Sequence, residues 1–501
     1  MSSRWRMRAR DSFLIALLML AGCAGEGGAQ KTDASSSGGS SGSGGNPAST
    51  GGSGGADTGT GGSGSGGAGT GGILGTGGAP DARATGGTGG STTPDAGLAN
   101  DGGTPGAFRH PGAMITAEQL TFLKMHITAG DAPWSATLKQ LQGTAYGKGT
   151  YAPAGGAPPG GIVTCGYISN PDVGCTYEKN VAAGAFGNAL VWALTGTKAN
   201  ADGAVRILNG WATTMKGRST PAAQEFQGNT GDDFNGILQS GWQGSTVARA
   251  AELIRGSDGG AAAGWAAADI AKFQAMLRAA YVPYLENGYL RSASTDPARL
   301  TGGNWDLSAI DGLIQIAVFL DDRALFDKAL ALWRRRVPAY IYMRSDGAMP
   351  IKIAGDNLTW YSAATTVDGI AQETCRDLSH IQYGFAAMVN AAETALIQGV
   401  NLFNEQSARI AAGLELNAGY WLAGSSPPAT CAGTDAANYT SNYIARPTWI
   451  VAYNAIADRL KLPLPNVKSV ISQNTSPTAD DTHHIQWEAL THSGLGTIGI
   501  K

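Results

Sequence analysis

The segment 372-QETCRDLSHIQYG-384 gathers a carboxylate, a guanidinium, an imidazole and a phenol into a dozen positions, through Glu373, Arg376, Asp377, His380 and Tyr383. Charged residues form only 15% of the chain and histidines number six, so this local density stands out. Placed on a helix at ~100° per residue, Arg376, His380 and Tyr383 fall at i, i+4 and i+7 and share one polar stripe. Leu378, Ile381, Phe385 and Met388 form a separate packing side. Asp377, three residues before His380, can pair with it or with the helix N-terminal turn. A solvated helix face is the plainest use of such a stripe. The chemical use is β-elimination beside a carboxylate. An amide, Arg or protonated His neutralises the carboxylate, so that the neighbouring C–H becomes acidic. A base then takes that proton and an acid protonates the leaving oxygen. Tyr can serve in either role when a nearby cation lowers its pKa. This chemistry requires no metal and no cofactor.

A second candidate face lies in 232-DDFNGILQSGWQG-244, where Asn235, Gln239 and Trp242 recur at i, i+4 and i+7. Amides and an indole suit sugar hydroxyls and rings, and equally suit a satisfied structural face. Trp305 and Trp360 can stack on sugars or fill the core. His483 and His484 are adjacent, so they do not share a helix face, and we read them, with His492, as structural. No CxxC pair or other zinc-like spacing occurs.

The elements that must position these residues are helical. Apolar residues recur at helical spacing in 117–127, 181–196, 245–256, 265–285, 304–322, 324–341, 382–399, 404–422 and 447–460. Several of these runs stop at Gly. No comparable set of alternating strand patterns is present. The expectation is an all-α domain of paired helices, curled into an (α/α) toroid, an incomplete barrel whose inner helices line a cavity. An α-solenoid competes, but no fixed repeat period is found.

The N-terminal part reads differently. A basic opening, 1-MSSRWRMRAR-10, precedes the apolar run 13-FLIALLMLAG-22 and Cys23. This has the form of an export signal, and Leu20-Ala21-Gly22-Cys23 resembles a bacterial lipobox. That resemblance implies a signal peptide over 1–22, a lipid on Cys23 and an exported protein, anchored at the outer membrane on its periplasmic or surface side. Residues 23–106 are rich in Gly, Ser, Thr and Ala and poor in large apolar groups, which predicts a disordered tether reaching on the order of 50 Å. The folded domain is then 107–501. The net charge of −3 and the absence of a basic stripe argue against nucleic acid as a partner. The membrane is met only through the lipid. With Cys23 modified, four of the five cysteines remain, and in an exported chain they suggest the disulfides Cys165–Cys175 and Cys375–Cys431.

From 109-RHPGAMITAEQLTFLKMHI-127 to 484-HIQWEALTHSG-494 the chain resembles the alginate-lyase-like polysaccharide lyases with an (α/α) toroid fold. The most specific pieces are 303-GNWDLSAIDGLIQIAVFLDD-322 and 373-ETCRDLSHIQYG-384, supported by 178-EKNVAAGAFGNALVWALTGTKANADGAVRILNGWA-212 and the Trp487-Glu488, Leu490-Thr491-His492 ending. The resemblance implies an Asn or Gln that neutralises the substrate carboxylate, with His and Tyr for proton transfer and Arg nearby. Asn304 fits the neutraliser, or is simply a helix N-cap. In the best-known alginate lyases a histidine directly follows such an Asn. Here Trp305 follows, and the histidine duty moves to His380. Tyr383 is the first choice of tyrosine, with Tyr361 in reserve, and Arg376 would hold the tyrosine's charged form or bind a carboxylate.

The expected function is a lyase acting on an anionic, uronate-containing polysaccharide such as alginate or a glucuronan. It would act without metal and leave 4,5-unsaturated ends, with either His380 or Tyr383 taking the proton. A glycoside hydrolase on a similar toroid competes, drawing on Glu373, Asp377, Asp306 and Asp311, since that chemistry normally uses two carboxylates. A non-catalytic glycan-binding lipoprotein competes because of the Asn304-Trp305 departure.

Overall fold

A computed structural model describes residues 106–167, 169–219, 235–286, 303–353, 360, 366–424, 427–431, 439, 448–473, 483–484 and 486–500. All fall in one compact unit, Ala99–Lys501. Cys23, the tether and Tyr361 lie outside the described residues.

The helices are α1 (Ala117–Ala129), α2 (Trp134–Gly143), α3 (Cys175–Thr195), α4 (Lys198–Thr214), α5 (Gly236–Arg255), α6 (Ala267–Met276) and α7 (Asn304–Leu320). There follow α8 (Arg323–Tyr340), α9 (Leu378–Ile397), α10 (Leu402–Glu405), α11 (Ser407–Ala423), α12 (Trp449–Tyr453), α13 (Pro465–Gln473) and α14 (Glu488–Thr491). Two of them run on into π turns, α6 through Leu277–Tyr281 and α12 through Asn454–Arg459. The run expected over 404–422 is divided at Gln406 into α10 and α11.

Burial separates these helices into two layers. Helices α3, α5, α7 and α9 are covered on every side, and their sequences are correspondingly apolar or small almost all round. Helices α4, α8 and α11 bury only one stripe; in α11 it is Ile410, Gly413, Leu414, Asn417, Ala418 and Trp421. The four inner helices pack in the order α3–α5–α7–α9, and α12 continues the series beside α9. The outer partners sit behind, α4 on α3 and α8 on α7. This is the (α/α) toroid: paired helices with an inner layer curved round a common interior. The tight α5–α7 contact depends on Gly241, where a Cβ would lie 2.6 Å from the Ser308 carbonyl oxygen. Between the layers, the Trp333 indole donates to the Met388 carbonyl at 3.0 Å.

Contacts between residues 109–119 and 492–499 close the arc. His492 is buried and its imidazole is pushed down to about 4, chiefly by burial, so it is neutral. Its Nε2 donates to the Met114 carbonyl at 3.0 Å and its Nδ1 accepts from the Thr491 hydroxyl at 2.7 Å. Glu488 accepts from the Thr448 and Val451 N–H groups and so caps α12. Arg109 donates to the Gly499 carbonyl and Gln119 to that of Ile498.

A three-stranded sheet, absent from the sequence expectation, comprises β1 (Ile162–Tyr167), β2 (Asn170–Val173) and β3 (Gly217–Arg218) in the order β2-β1-β3. It is a short edge structure; β1 pairs antiparallel with β2 and parallel with β3. Its period-2 signal is too brief to compete with the surrounding helical pattern. Both expected disulfides are formed. Cys165–Cys175 ties β1 to the start of α3, and Cys375–Cys431 anchors the segment before α9.

His110 fastens the N-terminal segment to α5 and to the end of α7. Its Nδ1 meets Glu252 at 2.9 Å and its Nε2 meets Asp321 at 2.8 Å. Burial alone would lower the imidazole, but the hydrogen bonds to Asp321 and Glu252 outweigh it and push it up to about 9. A raised pKa stabilises the fold fully below the unfolded value and is lost as pH rises through the folded one. His110→Gln should therefore cost on the order of 2–3 kcal/mol at pH 6. The difference from wild type should shrink as pH rises through about 9, as read by urea unfolding across pH.

Candidate active site

Residues 372–375, ahead of α9, are held by hydrogen bonds and a disulfide. The Gln372 N–H donates to the Tyr340 carbonyl at 2.8 Å, and the Gln372 side-chain oxygen accepts from Gly303 N–H and from Arg336. Thr374 Oγ1 donates to Asn417 on α11, and Cys375 is bonded to Cys431. Glu373 is thereby held inside the protein, 2% exposed. Four donors converge on its carboxylate: Asn304 N–H at 2.8 Å, Asn304 Nδ2 at 2.8 Å, Tyr340 O–H at 3.0 Å and Arg376 NH1 at 2.9 Å. Tyr340 is raised well above the ordinary phenol value, by burial first and then by Glu373, so it remains a neutral donor.

Two corrections follow. Arg376 is not on the helix, because α9 begins at Leu378; it precedes the N-cap and is oriented by Glu373 instead. Asn304 is not an N-cap, since Gly303 occupies that position. Asn304 is the first helical residue, fully buried, and its side-chain oxygen has no hydrogen-bond partner. Gly303 has φ +60°, and a Cβ there would stand 2.7 Å from Glu373 Oε2. Only glycine both turns the chain into α7 and lets the carboxylate approach.

Asp377 caps α9, accepting from Ser379 N–H at 2.9 Å and His380 N–H at 2.8 Å. Its other oxygen meets His380 Nδ1 at 2.5 Å. Burial raises the Asp377 carboxyl, but the His380 side chain outweighs it and holds the group below its usual range, so it is ionised. With Nδ1–H given to a carboxylate, His380 keeps Nε2 as its basic position. Leu378, Ile381, Phe385 and Met388 are buried as expected. Tyr383, one turn on from His380, is only 8% exposed, so this is no solvated stripe.

Four rings surround the Tyr383 ring. Their centroids lie at 5.1 Å for His483, 5.6 Å for Trp242, 5.8 Å for His484 and 5.9 Å for His380. The Trp242 indole donates to His484 Nε2 at 3.1 Å, and the buried Arg249 guanidinium reaches the His484 carbonyl at 3.4 Å. Reading His483 and His484 as structural is therefore too narrow, because both belong to the wall around the tyrosine. Their adjacency in an irregular segment concealed this. The available signal was that three of six histidines fall near the chain end.

The remaining candidates are placed as follows. Asn235 Nδ2 donates to the Gly166 carbonyl at 3.0 Å, and Gln239 Nε2 faces the Cys175 carbonyl at 3.5 Å, so both tie α5 to the disulfide region. Trp242, on the same face, reaches the tyrosine. Trp305 is half-buried at the start of α7, and Trp360 packs beside Cys375 and Cys431. Of the carboxylates a hydrolase would use, Asp306 is fully buried against Arg336 Nε at 3.3 Å. Asp311 is buried, bound to Gln315 and raised to about 6 by that burial. Glu373 and Asp377 serve as described. Among the described residues, no group of three or more His, Cys, Asp or Glu is arranged to hold a metal ion.

Glu373→Ala would leave Arg376, Tyr340 and the Asn304 amide without their shared acceptor. The expected cost is about 3–5 kcal/mol in urea unfolding, with Glu373→Gln losing less because it keeps one acceptor oxygen.

The alginate lyase family model matches residues 177–426, which include Asn304, Arg376, His380 and Tyr383 and stop short of His483. No curated protein sequence matches the chain. Among solved structures, alginate lyase A1-III from Sphingomonas species A1 is similar at 15% identity, over 72% of this chain and 91% of that one, with a TM-score of 0.49. An alginate lyase from Bacteroides ovatus is similar at 14% identity, over 76% of this chain and 98% of that one, with a TM-score of 0.44. A variant of A1-III complexed with a tetrasaccharide is similar at 15% identity, over 71% and 90%, with a TM-score of 0.46. By the family match and the site it spans, the chain belongs to the alginate lyase family and is a carbon–oxygen lyase acting on polysaccharide.

Proposed function

We propose that this lyase cleaves a uronic-acid-containing polysaccharide, alginate or a glucuronan-like polymer, by β-elimination without a metal, leaving 4,5-unsaturated ends. The observation that carries this reading is the pairing of one tyrosine, ringed by imidazoles, with an arginine and an amide that share a single buried carboxylate.

The roles follow from the donors. Glu373 takes one N–H of the Asn304 amide and one arm of Arg376. An amide and a guanidinium are the groups suited to a uronate carboxylate, and Glu373 holds both in place. Neutralising the uronate acidifies the C5 proton. Tyr383, or His380 through Nε2, takes that proton, and a second protonated group beside Tyr383 supplies one to the departing O4. Asp377 fixes the His380 ring for this task. A glycoside hydrolase is less well supported, because Asp306, Asp311, Glu373 and Asp377 are each committed to a structural partner. The export and lipid signals around Cys23 support an outer-membrane site of action, where polymer would be met outside the cytoplasm. Cys23→Ser should then release the protein into the soluble fraction, as read by fractionation.

The test is ultraviolet absorbance of the conjugated product while the purified protein acts on a panel of polyuronates with EDTA present. A rise on one polymer is expected, and Tyr383→Phe should lower kcat by about 100-fold or more with an unchanged circular dichroism spectrum. New reducing ends without absorbance would favour hydrolysis. Binding without either signal would favour a glycan-binding protein.

A further inference from the structure

We propose that His483 is the second proton carrier of the elimination, working with Tyr383 from the opposite chain segment; this rests on the β-elimination reading above. The family match ends at residue 426, so nothing in it assigns a role to this histidine.

Elimination moves two protons, one off C5 and one onto O4. If Tyr383 handles one of them, the other needs a group that touches both the tyrosine and the substrate space. Three imidazoles border the Tyr383 ring, and their surroundings differ. His484 is 2% exposed, its Nε2 accepts from Trp242 and its carbonyl accepts from Arg249. It is a clamped wall residue, and a second proton on Nε2 would oppose the indole N–H. His380 has Nδ1 committed to Asp377, on the same helix as the tyrosine. His483 is half-buried and comes from a different segment. Of the three rings it lies nearest Tyr383, at 5.1 Å between centroids. Its ring also stands edge-on to Trp242 at 4.3 Å. The clamp on His484 therefore holds its neighbour against the tyrosine. A partly exposed imidazole in that position can exchange protons with both the sugar and the phenol.

The step balances as follows. The Tyr383 phenolate takes the C5 proton, and the C5–H electron pair forms the C4–C5 double bond. The C4–O4 bond breaks, and the His483 imidazolium protonates O4. The phenol then returns its proton to the neutral imidazole, and the pair is reset with no net proton gained or lost.

The experiment measures kcat, KM and pH–rate profiles of wild type, His483→Ala, His483→Gln and His380→Ala on a polymer the wild type cleaves, with and without added imidazole. The expected result is a fall in kcat of about 100-fold in both His483 variants, with KM little changed and one limb of the pH profile lost. Added imidazole should restore part of the rate of His483→Ala and none of that of His483→Gln, whose side chain fills the space. His483→Ala activity within about twofold of wild type would overturn the proposal. A fall in kcat without rescue, or a change confined to KM, would overturn it too and make His483 a wall residue. A wild type inactive on every polymer would overturn the elimination reading, and this inference with it.

Discussion

The site depends on one buried carboxylate. Glu373 is almost wholly withdrawn from water, and a charge so placed is tolerated only when its oxygens are saturated by well-placed donors. The donors come from three places: the first residue of α7, the last residue of α8 and the turn that carries Glu373 itself. Satisfying the carboxylate therefore sets the relative register of α7, α8 and the approach to α9. The same bonds aim Asn304 and Arg376. Gly303 is part of this constraint, since any Cβ would occupy the space the carboxylate needs. Charge burial and the geometry of the candidate site are one arrangement here, so the site cannot be loosened without weakening the fold.

The two-layer architecture gives that arrangement its rigidity. The chemically useful groups are drawn from the inner helices and the segments entering them: Trp242 from α5, Asn304 from α7, His380 and Tyr383 from α9. These helices are enclosed, so their side chains have few rotamers to choose from. The outer helices bury one stripe each and leave their other face to water. A helix supplies a precise site only when its own position is over-determined, and the inner layer meets that condition.

Much of this was legible in the residues. The spacing of His380 and Tyr383 needed only the helical period, and Asp377 proved to do both jobs open to it, capping α9 and binding His380. Cysteine arithmetic identified both disulfides, because setting Cys23 aside left four cysteines that could pair. Arg376 shares the helical spacing of His380 and Tyr383 yet lies before the N-cap of α9, since periodicity does not announce where a helix starts. Glu373 was noticed as a charge and missed as an organiser, because its four partners are brought together only by tertiary contacts. His483 and His484 were undervalued for the same cause. They lie in an irregular segment about 100 residues beyond the motif, where no period links them to Tyr383. The small sheet was missed because its strands are too short to outweigh the helical signal around them.

The contacts that close the arc have a consequence for how the protein comes into being. Met114 is joined to His492 across 378 positions, and Arg109 to Gly499 across 390. Such long-range pairing carries a high loop-closure cost and slows folding. On the ribosome the first helices emerge long before their final partners exist. Two of the four rings that flank Tyr383, those of His483 and His484, lie about 100 residues after it, so the tyrosine acquires its full surroundings only once that later segment is made. A nascent chain that stops short of His483 would hold Tyr383, His380 and Trp242 without the two imidazoles that complete the wall.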